Sequence, residues 1–240
     1  MAEGQACAVI FDVDGVILHL TPPEEAAFFQ ALERVFGIDD ASPDWDSYRA
    51  RNDVEIVEEL IETRLNRPAT PDDLIAFTDK YTSLVDVGIR TGEIKVLEID
   101  GIRDVLMALT QADNLIMGLA TANLMNMAKM RLRHVGLNDF FKIGGFAEAR
   151  GPKRQILRKT MAGLQDEQGN PIPKERVVFL GDNVGDVDAG LANECGLIAF
   201  SEDRAKHQKL RDAGATHIIA SHTETVAKIE ELLGHPLIKS

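Results

Sequence analysis

Cysteine is almost absent from this 240-residue chain. Cys7 and Cys195 are the only two, too few for a disulfide framework, which points to a reducing compartment and a cytoplasmic location. Positive charge is also scarce: 26 Lys and Arg face 39 Asp and Glu, a net charge of −13. Nucleic acid and anionic membranes require broad basic surfaces, so neither is expected as a partner. Any phosphorylated ligand must then be met by a local positive site. No apolar run approaches the roughly 18 residues of a membrane span, and no secretory h-region opens the chain. The six histidines fall at no metal-ligand spacing. A G-x-S-x-G elbow, a Walker A loop and a G-x-G-x-x-G turn are all missing, leaving serine hydrolase, P-loop kinase and dinucleotide dehydrogenase readings without support. There is no internal repeat and no low-complexity tract.

The organising feature is an apolar run close to the start, Val9-Ile10-Phe11, that ends in Asp12-Val13-Asp14-Gly15. Residues two apart on a strand share a face, so Asp12 and Asp14 are expected to leave the sheet near one another. Gly15 lets the backbone turn sharply. Two carboxylates about 4 Å apart repel by roughly 4 kcal/mol at an effective dielectric near 20. A hard divalent cation bound through oxygens would relieve that, although a plain acidic turn fits the segment equally well. Residues 177–180 form a second short apolar run, which leads into Gly181-Asp182-Asn183-Val184-Gly185-Asp186. Two parallel neighbouring strands would deliver both acidic turns to one pocket.

Between 19 and 95 the pattern is helical throughout. Thr21-Pro22-Pro23-Glu24 reads as a capping box with proline at the first helical position, and Gly37 closes that helix. Further helices are predicted from about Asp53 to Leu65 and from Thr70 onward. From Val96 strands alternate with helices: a strand at 115–120 ends in Thr121-Ala122-Asn123, a weaker one covers 142–146, and others cover 177–180, 196–200 and 216–220. Helices are predicted over 101–110, 124–134, about 154–161, 184–194 and 224–233. This rhythm implies an α/β fold with a doubly wound, Rossmann-like parallel sheet and right-handed crossovers. Such sheets bind ligands beyond the carboxyl ends of their strands, where Asp12, Thr121 and Asp182 all fall. Met125, Met127 and Met130 read as core packing.

At these residues the chain resembles the haloacid dehalogenase-like (HAD) hydrolases, in the branch of phosphoglycolate phosphatase and β-phosphoglucomutase. The family carries D-x-D-G after the first strand, Thr or Ser after the second, Lys or Arg before a later helix, and a G-D-x-x-x-D turn. All four have counterparts here, in order: Asp12 to Gly15, Thr121, Lys153, and Gly181 to Asp186. The resemblance implies a core of residues 1–18 and 96–240 with an inserted helical cap domain at 19–95. It implies a phosphatase in which Asp12 attacks phosphorus, Asp14 serves as acid and then base, and Thr121 and Lys153 meet the phosphate. Arg150 and Arg154 are the alternative cations. Magnesium would be held by Asp12, the Asp14 backbone carbonyl, Asp182 and Asp186. Gly15, Ala122, Asn123 and Arg49 are candidates for substrate contact, with His19, Arg51 and Asn52 also considered within the insertion. The substrate class implied is a small phosphorylated metabolite, phosphoglycolate-like or sugar-phosphate-like. Asp14 argues for phosphoryl over dehalogenation chemistry. A sugar phosphomutase and a catalytically silent phosphate-binding protein remain alternatives, as do a monomer and a homodimer.

Overall fold

The computed structural model describes residues 5–237, apart from the Asp46 side chain. In chain order the strands are β1 (Cys7–Phe11), β2 (Leu18–His19), β3 (Leu97–Glu98), β4 (Leu115–Ala120), β5 (Ile143–Gly145), β6 (Val177–Gly181), β7 (Gly196–Phe200) and β8 (Ile218–Ile219). Six of them form one sheet in the order β5-β4-β1-β6-β7-β8, with every adjacent pair parallel. In register, Val9 of β1 lies opposite Met117 of β4 and Val178 of β6. All residues of β1 and β6 are buried, which is why both read as unbroken apolar runs.

Alternation along β1 divides the core in two. Val9 and Phe11 pack with α4 (Ile102–Leu109), α5 (Met125–His134) and α9 (Thr225–Leu233) on one face. Ala8 and Ile10 pack with α6 (Lys153–Ala162), α7 (Val184–Asn193) and α8 (His207–Asp212) on the other. This is the doubly wound arrangement anticipated from the sequence.

Three helices, α1 (Pro22–Phe36), α2 (Asp53–Leu65) and α3 (Pro71–Thr91), lie between β2 and β3. Both α1 and α3 begin with a capping box and a proline in the first turn, and end on a left-handed glycine, Gly37 or Gly92. The three share a separate hydrophobic cluster around Phe28, Leu32, Val57, Ile61, Phe77 and Tyr81, which reaches Leu124 and Met127 beside α5. The chain passes in and out of this helical layer through β2 and β3, which pair antiparallel. Neither two-residue strand is visible in the sequence, nor is α8, where Leu210 alone is buried and no helical stripe exists. The edge strand expected at 216–220 shortens to Ile218–Ile219.

Candidate active site

Four side chains converge at the carboxyl ends of β1 and β6. Asp12 follows β1 directly and its backbone N–H donates to the Leu180 carbonyl at 2.9 Å, which fixes it beside Asp182 at the end of β6. Lys153 opens α6 and is buried with its ammonium 2.7 Å from Asp12 Oδ1 and 3.0 Å from Asp186 Oδ1. Asp12 Oδ1 also accepts the Val13 N–H at 2.7 Å. No described residue donates a hydrogen bond to Asp12 Oδ2.

Asp186 belongs to the capping box of α7. Asn183 accepts the Asp186 N–H at 3.1 Å, while Asp186 Oδ2 accepts the N–H groups of Asp182 and Asn183 at 3.0 and 3.3 Å. Its Oδ1 is buried and is met by the Lys153 ammonium at 3.0 Å. Asp12, Asp182 and Asp186 each present an oxygen within 4.8 Å of the others. A set of three carboxylates without histidine or thiolate suits a hard, oxygen-seeking divalent cation. Two glycines make room for the cluster. A Cβ on Gly15 would lie 2.2 Å from Asp182 Oδ2, and one on Gly181 would lie 2.2 Å from Asp186 Cβ.

Burial pushes the Asp12 carboxyl well above the usual range, the Lys153 ammonium pulls it down, and Asp186 and Asp182 push it further up. Asp182 rises to about 7 through burial and the neighbouring Asp186. Burial works against the charge on Lys153, but Asp12 and Asp186 outweigh it and raise its pKa. The site therefore holds more negative charge than one lysine neutralises, and a further cation is the simplest remedy.

Asp14 has a partner of its own: its Oδ1 is held at 2.6 Å by Nη2 of Arg131 on α5. Arg131 is 2% exposed. Its Nε lies 2.7 Å from Oε1 of the equally buried Glu24 on α1, and Nη2 also donates to the His19 carbonyl at 3.2 Å. One guanidinium thus ties the turn after β1 to the helical layer. Arg131 carries this role without having been singled out by sequence.

A cavity of about 610 Å³ opens between the sheet and the helical layer. Asp14, Ala122, Asn123, Lys153, Asn183 and Asp186 are on its sheet side. Residues at the start of α2 clasp the sheet beside it: Asp53 N–H donates to the Ala122 carbonyl at 3.1 Å, and Asp53 Oδ2 accepts the Leu124 N–H at 3.0 Å. Asn52 Nδ2 donates to the Gly151 carbonyl at 3.1 Å, and Glu55 Oε1 accepts the Gly151 N–H at 2.9 Å. Burial and the charges of Asp14 and Glu148 lift the Asp53 carboxyl to about 7, against the pull of the Leu124 N–H.

The family model for haloacid dehalogenase-like hydrolases matches residues 8–193, a span that includes every member of this constellation. The chain belongs to the haloacid dehalogenase-like hydrolase family. A search of curated proteins finds no match. Among solved structures, CbbY from Rhodobacter sphaeroides in complex with phosphate is similar in fold, with 19% identity, a TM-score of 0.70, and coverage of 94% of this chain and 100% of that one. The β-phosphoglucomutase of Clostridium difficile matches with 18% identity and a TM-score of 0.67 over 96% and 100% of the two chains. A predicted phosphoglycolate phosphatase from Haemophilus somnus 129pt matches with 14% identity and a TM-score of 0.64 over 94% and 99%.

Within this HAD-like hydrolase, the residues expected from sequence divide clearly. Lys153 is the cation that enters the acidic cluster; Arg150 pairs with Glu58 and Arg154 with Asp188. Ala122 and Asn123 line the cavity, whereas Thr121 is buried just behind it, its hydroxyl accepting the Asn123 N–H at 3.3 Å. The Thr121 N–H donates to the Gly145 carbonyl at 3.0 Å. Gly15 packs against Asp182 and does not line the cavity. Arg49 does not reach the cavity either: its side chain is 75% exposed and pairs with Glu59 and Glu62 along α2. Arg51 and Asn52 do line it, and His19 does not. Met127, read as core, is both buried and part of the cavity wall.

Proposed function

We propose that the protein is a magnesium-dependent phosphatase that hydrolyses the phosphate monoester of a small organic alcohol. The observation that carries this reading is the meeting of Asp12, Asp182 and Asp186 around the Lys153 ammonium, with Lys153 and Asp186 lining the cavity beside them. In this reading Asp12, Asp182 and Asp186, with the Asp14 backbone carbonyl, hold the metal. When bound, the ion offsets the repulsion between an attacking carboxylate and a phosphate dianion.

The protein's own groups supply the rest. Lys153 and the Val13 N–H hold Asp12 Oδ1, which orients the carboxylate and leaves Oδ2 to attack phosphorus. As the new P–O bond forms, the bond to the alcohol oxygen breaks, and Asp14 delivers a proton to that oxygen. Asp14 then accepts a proton from water, which attacks the aspartyl-phosphate, frees inorganic phosphate and restores the Asp12 carboxylate. Arg131 positions Asp14 for both transfers. Ala122 and Asn123 border the phosphate, with Thr121 shaping that turn from behind. Residues 19–95 act as a cap over a core of 1–18 and 96–240, admitting substrate when apart and excluding water when closed; the hydrogen bonds from Asn52, Asp53 and Glu55 to the sheet side support this.

The test is phosphate release from a panel of monoesters with and without magnesium. Turnover that requires magnesium, with Asp14→Asn lowering kcat by about 10²–10⁴-fold, is the expected result. Equal turnover after chelation overturns the metal assignment.

A further inference from the structure

The sheet side of the cavity is mainly polar, whereas the opposite wall sets large apolar and aromatic side chains among Glu25, Arg51, Asn52 and Asp53. The helical layer contributes Leu20, Phe28, Trp45, Ile56 and Tyr81, and Met127 joins them from α5. The rings form a fixed surface: Phe28 meets Trp45 edge to face at 5.1 Å between centroids and Tyr81 at 5.4 Å. At the mouth, Leu20 and Val184 are 42% and 37% exposed, two large apolar side chains left in water on the rim of the same cavity.

The polar groups on that wall are mostly committed to the protein. Asn52 spends its amide on Glu55 and Gly151 and its carbonyl oxygen on the Glu55 N–H. Glu25 accepts the Trp45 indole N–H, and Asp53 Oδ2 accepts the Leu124 N–H. The Tyr81 hydroxyl is different. Tyr81 is 6% exposed, lines the cavity and makes no hydrogen bond among the described residues. The phenol borders the cavity with its hydroxyl uncommitted, where a polar atom of a ligand can take the place of water. The second oxygen of Asp53 is the other anchor.

A volume of about 610 Å³ exceeds what a two-carbon phosphate fills and falls in the range of about 300–1,000 Å³ for pockets holding larger organic ligands. A sugar of that size brings several hydroxyls. Each one buried against Phe28, Trp45 and Ile56 would lose its water without gaining a partner.

We propose that the alcohol released is aromatic-faced, an arylalkyl or aryl alcohol bearing at most one or two polar groups, with its ring against Phe28 and Trp45 and a polar atom on the Tyr81 hydroxyl. This rests on the phosphatase reading and names its substrate class, which differs from the phosphoglycolate or sugar phosphate implied by family resemblance. The chemistry is the hydrolysis already described, with the phosphoryl group passing to water and the alcohol leaving protonated.

The experiment compares kcat/KM for benzyl phosphate, glucose 6-phosphate, glycerol 3-phosphate and phosphoglycolate, all esters of primary alcohols, on one preparation with magnesium. Benzyl phosphate should exceed each of the others by at least about tenfold, the cost of one buried hydroxyl or carboxylate left unpaired. Any other ester matching it overturns the substrate class and leaves the phosphatase reading standing, whereas release from none of the four overturns the phosphatase reading itself. Trp45→Ala, with Trp45→Leu as the milder replacement, should lower the ratio of benzyl to glycerol phosphate by about tenfold. Because that ratio is taken on a single preparation, partial unfolding cancels, and an unchanged ratio in both variants overturns the proposal.

Discussion

Replacing Gly15 by alanine tests whether the acidic cluster is built as closely as the distances indicate. Gly15 has φ of +79°, a left-handed conformation that costs a residue with a Cβ about 1–2 kcal/mol. The larger effect is steric. The new methyl would lie 2.2 Å from Asp182 Oδ2 and 2.3 Å from its Cγ. Non-bonded atoms settle at about 3.5–4.0 Å, so the Asp182 carboxylate must retreat by more than about 1 Å. A misplacement of that size can lower the rate by about 10²-fold. Gly37→Ala is the matched control, since Gly37 has φ of +70° at the end of α1 and nothing within 4 Å of an added Cβ. The assay reads magnesium-dependent phosphate release and urea unfolding for both variants. Gly37→Ala should lose about 1–2 kcal/mol of stability and Gly15→Ala at least as much, and Gly15→Ala alone should lose about a hundredfold in activity. Activity within about threefold of the parent in Gly15→Ala, or an equal loss in Gly37→Ala, would show that the position of Asp182 beside Gly15 does not govern turnover.

Arg131→Met leaves Asp14 and Glu24 without their shared partner, and removing one member of a buried ion-pair group costs about 3–5 kcal/mol; urea denaturation reads it, and a loss under about 1 kcal/mol would sink the assignment. The Asp53 carboxyl ionises near 4 in the unfolded chain and at about 7 in the fold, so the folded state binds the extra proton between those values. Relative to Asp53→Asn, the metal-free wild type should therefore lose stability as pH rises from about 4 to about 7 and change little above it; thermal melts at about pH 5 and pH 8 in chelator check the sign. Arg49→Ala should keep kcat/KM within about twofold, because an exposed pair with Glu59 and Glu62 contributes little, whereas a large rise in KM would place Arg49 at the substrate after all.

The sheet and its acidic turns were legible because a parallel strand covered on both faces has to be apolar along its length, so the aspartates after Phe11 and Leu180 stand out against their strands. The helices α1 and α3 were legible through their proline-led capping boxes. Arg131 was not. It sits in Lys129-Met130-Arg131-Leu132-Arg133, where charge alternates with apolar residues, and it meets Asp14 across 117 positions of sequence. A signal did exist: Arg131 lies three residues after Ala128 and four after Met127, both buried, which puts it on the inward stripe of α5. Arg49 and Arg51 show the opposite limit. They differ by two positions, and the 3-10 turn at Trp45–Ser47 together with the Asn52 cap decides which one faces the cavity. β2 and β3 escaped because two residues carry no periodicity, and their pairing exists only once the helical layer is folded between them.

Asp12 is the group proposed to receive the phosphoryl moiety. The measurement that tests it most directly is mass spectrometry of acid-quenched enzyme during turnover of the best monoester, with Asp12→Asn as the comparison. One added phosphoryl group is expected on the peptide containing Asp12 in the wild type and none in the variant, whose turnover is lost. Turnover at the wild-type rate in Asp12→Asn, or a phosphoryl group trapped on another residue, would contradict it.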